Sequence, residues 1–252
     1  MLEARQYTAG PAPLLDLKTH MSAVGLGRAV IVQPSFYGTD NRLMLGCLKQ
    51  MAGAGRGIAV VDEAISDEAL RALHQGGVRG LRLNVESSPS LQVEHGAHPL
   101  ERALLYWAKR LAPLAHLRWH VQVFASIDLL AQCAPLIRTL PYDLVLDHFA
   151  MVPSPLRMDD PRMSVLLSLL ESGKIWVKLS APYRPPVRGV HRAEDFFQLA
   201  QSFINTNPER IVWGSDWPHT QREAGKTPLE TSAYRHIASD TLSAQIHHWI
   251  PN

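Results

Sequence analysis

The chain reads as short runs dominated by valine, isoleucine and leucine, each followed by a stretch whose apolar residues recur with helical spacing. The runs are RAVIVQP at 28–34, GIAVV at 57–61, GLRLNV at 80–85, WHVQVF at 119–124, DLVLDH at 143–148, IWVKLS at 175–180 and RIVWGSD at 210–216. They predict seven strands. The stretches between them predict helices over about 41–51, 67–75, 99–114, 127–140, 161–171, 193–205 and 242–249, with a further one at about 13–23 ahead of the first strand. Continuous apolar runs joined by crossover helices are the mark of parallel strands covered on both faces. The expected fold is therefore α/β, a (β/α)8 TIM-barrel forming a single domain over 1–252. Such a barrel needs eight strands, so the first is missing from the count, and an open seven-stranded sheet is the other arrangement that fits.

In parallel α/β folds the chemistry gathers at the carboxyl ends of the strands. Those positions hold Gln33, Pro34, Ser35 and Tyr37; Asp62; Arg82 and Asn84; His120 and Gln122; Asp147 and His148; Lys178 and Ser180; and Asp216 and His219. Ionisable side chains in greasy strands are costly unless paired or used. Their concentration at one end of the strands is the main functional signal.

The sharpest motif is VWGSDWPH at 212–219. A carboxylate ending the last strand, in a turn stiffened by Pro218 and flanked by tryptophans, either ligates a metal or takes a proton from a water aimed at a carbonyl carbon. Desolvation there raises its basicity. The plainer reading of Asp216 is a capping aspartate, and His219 either lines the site or packs the loop. In LVLDHF at 144–149, His148 can bind a metal or polarise a carbonyl while Asp147 orients a neighbour, and His120 stands at another strand beside it in kind. Arg82, in a strand of leucines with Asn84 following, is an anion clamp or an internal ion-pair partner of Asp62 or Glu86. Arg184, stiffened by the prolines of SAPYRPP, is a substrate grip or a solvated loop charge. Lys178 is a base, a Schiff-base amine or a member of a core ion pair. QPSFYGTDN at 33–41 supplies the Ser35 hydroxyl, the Tyr37 phenol and backbone donors to an oxyanion or carboxylate, while Thr39 or Asp40 also N-caps the next helix.

Composition narrows the classes. The 252 residues are 46% hydrophobic and 19% charged, with a formal net charge of +2, which gives no basis for nucleic-acid binding. Cys47 and Cys133, far from any CxxC spacing, offer neither a disulfide framework nor a cysteine metal site and fit a reducing compartment. No apolar run approaches the roughly 18 residues of a membrane span, and MLEARQYTAG has no basic-then-apolar leader pattern, so the expected location is the cytoplasm. P-loop, GxGxxG, GxSxG and HExxH motifs are absent, which argues against nucleotide, flavin and serine-hydrolase chemistry.

Taken in order, AVIVQPSFYGTDN at 29–41, GIAVVD at 57–62, GVRGLRLN at 77–84, WHVQVF at 119–124, LVLDHF at 144–149, VKLSAPYR at 177–184 and RIVWGSDWPH at 210–219 resemble the amidohydrolase superfamily, in its branch of 2-pyrone-4,6-dicarboxylate lactonase-like proteins. The resemblance implies a barrel and the addition of water to a lactone carbonyl in a carboxylate-bearing ring, the work of an enzyme of aromatic-compound degradation. It matches Asp216 to the general base and His148 to the histidine near the reacting carbonyl. Ser35, Arg82 and Arg184 match positions that hold substrate carboxylates or the ester. Tyr37, Asn84, His120 and His219 complete the expected substrate contacts. Phe124 stands where such a lactonase has a tyrosine. No cofactor is expected, the alternative being one divalent metal such as Zn to which Asp216 and His148 would contribute. The expected partner is a small carboxylate-bearing lactone, with no nucleic acid and no membrane, in a possible homo-oligomer. The family's His-x-His pair and its first strand have no counterpart here, nor has its last helix, so a chain truncated at both ends is expected. The rival readings are a metal-dependent amidohydrolase acting on another ester or amide, and a non-catalytic binding protein that lost the pair.

Overall fold

The computed structural model describes residues 5–85, 99–154, 159–186 and 193–249. In chain order the elements are β1 (Thr8–Ala9), α1 (Leu14–Ala23), β2 (Ala29–Val32), α2 (Arg42–Gln50), β3 (Gly55–Ala59), α3 (Asp67–Gln75), β4 (Val78–Asn84), α4 (Pro99–Leu111) and β5 (His120–Phe124). They continue with α5 (Ile127–Gln132), α6 (Ala134–Ile137), β6 (Leu144–Leu146), α7 (Pro161–Glu171), β7 (Ile175–Leu179), α8 (Ala193–Thr206), β8 (Ile211–Trp213), β9 (Thr231–Ser232) and α9 (Ser239–Trp249). Strands β2 to β8 form one sheet in sequential order, β2-β3-β4-β5-β6-β7-β8. The pairings of β2 with β3, β3 with β4, β5 with β6, β6 with β7 and β7 with β8 are parallel. A doubly wound sheet reverses its order at a switch point; this one does not, and sequential winding is the order of a TIM-barrel-type amidohydrolase fold.

The contacts divide the chain into two compact units. One comprises Met1–Arg82 and Ser215–Gln245, the other Leu83–Gly214 and Ile246–Asn252. In the first unit, Ala29 to Val32 pair with Gly55 to Ile58, and a bulge after Gly57 shifts the register of β3 on β4. A Cβ on Gly57 would come within 2.9 Å of Leu48 and Met44, so its bare Cα is what lets α2 pack so closely on β3. A short parallel pair, β1 with β9, belongs to the same unit. In the second unit Val121, Leu144, Leu146, Ile175, Val177 and Leu179 are all essentially inaccessible. Leu104, Leu130, Met163, Leu166 and Phe203 of the helices are buried as completely.

The strands are less uniformly apolar than the runs suggested. Gln122 pairs with Val145, Val145 with Trp176, and Lys178 with Val212, and residues paired across parallel strands share a face. One face of these strands is thus aliphatic, and the other carries Gln122, Asp147 and Lys178. The run at 175–180 is an alternating strand whose polar half belongs to the site.

Helix boundaries follow local chemistry. Ser66 and Ser126 accept bonds from Ala69 N and Leu129 N at the starts of α3 and α5, and Asp160 accepts from Arg162 N ahead of Pro161 in α7. The expected helix over 127–140 is broken at Cys133, because Pro135 has no N–H to continue the ladder. The one expected over 99–114 ends at Leu111 and tightens into a 3-10 run over Ala112–Leu117 that includes Pro113. Asp40 accepts from Arg42 N at 3.2 Å, but the N-cap position of α2 is Asn41, with no side-chain cap bond, so neither Thr39 nor Asp40 is the N-cap expected of that loop. Cys47 is half-buried and Cys133 buried. Among the described residues, no helix is long and apolar enough to cross a membrane.

Candidate active site

The expected site residues fall in both units. Ser35, Tyr37, Arg82, Asp216 and His219 belong to the first; Asn84, His120, His148 and Arg184 belong to the second.

In the first unit the loop after β2 is braced from within. The amide of Gln33, 1% exposed, donates to the carbonyls of Gly38 and Asp40 at 3.1 and 2.8 Å. Asn41 donates to Val60 O at 2.8 Å and accepts from Val60 N at 3.3 Å, which ties the loop to the end of β3. The Ser35–Tyr37 turn between these braces is therefore rigid, with Phe36 buried and its ring against Tyr7 and Tyr37. Arg82 Nη1 donates to Gln33 O at 3.3 Å, so the guanidinium is directed along the same loop.

Asp216 lies just past β8 in a tight turn. His219 N donates to Asp216 O at 2.7 Å, Trp217 N to Ser215 Oγ at 3.1 Å, and Arg235 N to His219 O at 2.9 Å. The Trp217–Pro218 peptide is cis. Asp216 and His219 have φ of 59° and 63°, the left-handed region that costs a non-glycine residue about 1–2 kcal/mol. His219 is buried and Asp216 half-buried. His20 of α1 lies against this turn, its ring centroid 6.1 Å from each of Trp217 and His219.

In the second unit the polar face of β5, β6 and β7 forms a closed network. Asp147, 2% exposed, accepts from Lys178 Nζ at 2.7 Å and from both bonds of the Gln122 amide at 2.9 and 3.1 Å. This answers the three-way reading of Lys178 in favour of the ion pair. A Cβ on Gly214 would come within 3.2 Å of the Lys178 stem, so glycine leaves room for that pair. His148 Nδ1 lies 2.9 Å from Ser180 Oγ, both residues buried, and the His148 ring meets Phe124 edge-on at 5.6 Å. His148 opens a run of four left-handed residues, His148 to Met151, φ 49° to 55°. His120 has its pKa pushed down to about 4, first by burial and then by the nearby Lys178 charge, with Asp143 opposing. It is a neutral imidazole at neutral pH. Arg184 N closes a turn onto Ala181 O at 2.9 Å, and its guanidinium lies 5.8 Å from the Tyr183 ring. The rest of that loop, 187–192, the polar loop over 86–98 and the chain end at 250–252 lie outside the described residues, as does Glu86 as a partner for Arg82.

Left-handed non-glycine residues are concentrated where chemistry is expected. His148 to Met151, Ala181, Asp216 and His219 all follow the carboxyl ends of β6, β7 and β8, and among the described residues only Ala52 and Arg118 lie elsewhere. Backbone strain of this kind persists where surrounding structure over-determines it, and it clusters at active sites. Nothing in the amino-acid pattern announces it, since none of these positions is glycine. Among the described residues no group of three or more His, Cys, Asp or Glu side chains is placed to hold a metal ion.

A singly wound parallel sheet with its ionisable residues just beyond the strand ends defines an α/β enzyme of the barrel class. The amidohydrolase family model matches residues 1–250, and the chain belongs to that family. It is 31% identical over 231 residues to a 2-pyrone-4,6-dicarboxylate hydrolase of Comamonas testosteroni, covering 85% of this chain and 70% of that protein. It is 27% identical over 218 residues to a 4-sulfomuconolactone hydrolase of Hydrogenophaga intermedia, covering 86% and 69%. The fold superposes on a probable 2-pyrone-4,6-dicarboxylic acid hydrolase of Acinetobacter baumannii, solved with citric acid bound, with a TM-score of 0.77 at 28% identity over 100% of this chain and 87% of that one.

Proposed function

We propose that this chain is a lactone hydrolase that opens a small carboxylate-bearing ring of the 2-pyrone-4,6-dicarboxylate or muconolactone type. The observation that carries the reading is Asp216. It is a carboxylate held left-handed just past the last parallel strand, in a chain 31% identical to a 2-pyrone-4,6-dicarboxylate hydrolase.

Asp216 takes a proton from water as the water oxygen bonds to the lactone carbonyl carbon, and the carbonyl π electrons move to oxygen. His148 stabilises that oxyanion: with the Ser180 hydroxyl donating to Nδ1, the ring's hydrogen resides on Nε2. Collapse of the tetrahedral intermediate breaks the ring C–O bond, and Asp216 returns its proton to the departing oxygen. Arg82 and Arg184 hold the substrate's carboxylates. Ser35, Tyr37, Asn84, His120 and His219 line the ring. Each step is assigned to the chain's own side chains, and dialysis against a chelator is expected to leave turnover unchanged; turnover lost to the chelator and restored by Zn would favour the one-metal alternative.

The test is turnover of 2-pyrone-4,6-dicarboxylate and of 4-sulfomuconolactone, followed by loss of the ring's ultraviolet absorbance, in the wild type and in Asp216→Asn. Wild-type hydrolysis abolished by the Asn change supports the reading. Binding of these compounds without hydrolysis of any of them would sink it in favour of a non-catalytic binding protein.

A further inference from the structure

The turn that carries Asp216 is contacted by a histidine almost two hundred residues earlier in the chain. His20 lies in the last turn of α1, and its Nε2 is buried with no hydrogen-bond partner. Its ring lies nearly parallel to that of Trp217, with centroids 6.1 Å apart and planes at 26°, and it meets His219 edge-on at 6.1 Å and 80°. Those two residues flank Pro218 and directly follow Asp216. On α1 itself Met21 is the buried side chain and Leu15 is largely exposed, so the helix has no continuous apolar face that would recruit position 20 as core. A buried nitrogen without a partner is destabilising, and such groups are rare enough in native proteins to call for an explanation. Burial also holds the His20 pKa below its usual value, which keeps the ring uncharged at neutral pH. What the imidazole has is two aromatic neighbours in one segment, the segment whose backbone must stay left-handed at Asp216 and His219.

We propose that His20 is a positioning residue for Asp216: with its face on Trp217 and its edge on His219, the ring holds the 216–219 turn in the conformation that aims the carboxylate. The proposal rests on the reading of Asp216 as the proton acceptor. The ring acts rather than its buried Nε2, which has no hydrogen-bond partner. A phenyl ring at position 20 therefore keeps the function, and a methyl group loses it.

Amide hydrogen exchange read by mass spectrometry on the peptide spanning 213–220 tests this, with steady-state kinetics beside it, in His20→Ala and His20→Phe. In the Ala variant faster exchange is expected in that peptide alone. The kcat should fall about ten- to a hundredfold, as a misaimed group allows, with KM nearly unchanged; the Phe variant restores both. Unchanged exchange at the turn in the Ala variant overturns the proposal, as does a loosened turn with full kcat. So does a loss of kcat that merely tracks protection lost throughout the protein, or a Phe variant no better than Ala. If the wild type hydrolyses no lactone, the functional reading falls, and the exchange comparison alone then decides whether His20 holds the turn.

Discussion

The ends of β6 and β8 solve the same problem in different ways. Both present an ionisable residue in a left-handed backbone conformation, His148 in one and Asp216 in the other. At β6 the environment is a web of side-chain bonds: Lys178 and Gln122 converge on Asp147, and Ser180 meets His148. At β8 the turn is tied by backbone bonds within 216–219 and from Arg235, and by the His20 ring against Trp217 and His219. A buried charge needs its partners to be tolerated in the fold, so the web at β6 carries stability. A half-buried carboxylate in a backbone turn is expected to contribute less to the fold. The two strand ends should separate under mutation, with stability lost at one and turnover at the other.

The largest effect expected is on catalysis. Asp216→Asn keeps the shape of the side chain and removes its ability to accept a proton. A drop in kcat of about 10²- to 10⁴-fold is expected, with the urea midpoint unchanged. A variant that loses stability together with activity would mean that Asp216 is the capping residue of the plainer reading, and the contrast would collapse.

The next effect is on stability. Lys178→Met leaves Asp147, 2% exposed, with the Gln122 amide but without its cation. Breaking a buried pair from one side costs about 3–5 kcal/mol, which urea unfolding would resolve. The double change Lys178→Met with Asp147→Asn should recover much of that loss, because no uncompensated charge remains. An exposed pair gives the contrast: Arg42→Gln, which removes the bidentate partner of Asp40, is expected to leave the midpoint unmoved.

A pH titration sharpens the comparison further. His120 has a folded pKa near 4, against about 6.5 unfolded. Between those values the unfolded chain binds a proton that the folded one does not, so stability rises with pH. The contribution is fully present above about pH 6.5 and is lost as pH falls toward 4, a change of about 3 kcal/mol at most. Urea midpoints measured at pH 7, 5.5 and 4.5 should fall in that order, and His120→Gln should flatten the slope. Equal slopes in the two proteins would remove His120 as the source.

Much of this was legible in the sequence. The run Leu144–Leu146 is apolar because it is a core strand, and Gly or Pro punctuates the helices between the strands, so the strand order and nearly every helix could be read directly. Strand-end logic also brought Gln122, Asp147, His148, Lys178 and Ser180 together as a set. What could not be read is pairing and backbone sign. No pattern indicates that Lys178 pairs with Asp147 rather than acting as a base, because both uses need the same residue at the same strand end. The left-handed turn at 148–151 contains no glycine, and the Thr8–Ala9 pairing with Thr231–Ser232 is too short to have a period. His20 gave no signal at all: a histidine on a polar helix is informative only once Trp217 and His219 are seen against it.

The smallest effect concerns which nitrogen of His148 carries the hydrogen. Ser180 Oγ, 2.9 Å from Nδ1, can donate to that nitrogen or accept from it. Donation leaves the hydrogen on Nε2, where it can reach an oxyanion; acceptance leaves Nε2 as a bare lone pair, which repels one. The proposed chemistry requires the first arrangement, so Ser180 sets the tautomer. Ser180→Ala removes one buried bond at about 1 kcal/mol and lets the two tautomers compete, so kcat should fall only a few-fold while KM holds. The ¹⁵N shifts of the His148 ring distinguish the forms directly. A wild-type ring protonated on Nδ1 would reverse the assignment: His148 would then act as an acceptor near the leaving oxygen, and the Ala variant would be expected to lose affinity rather than kcat.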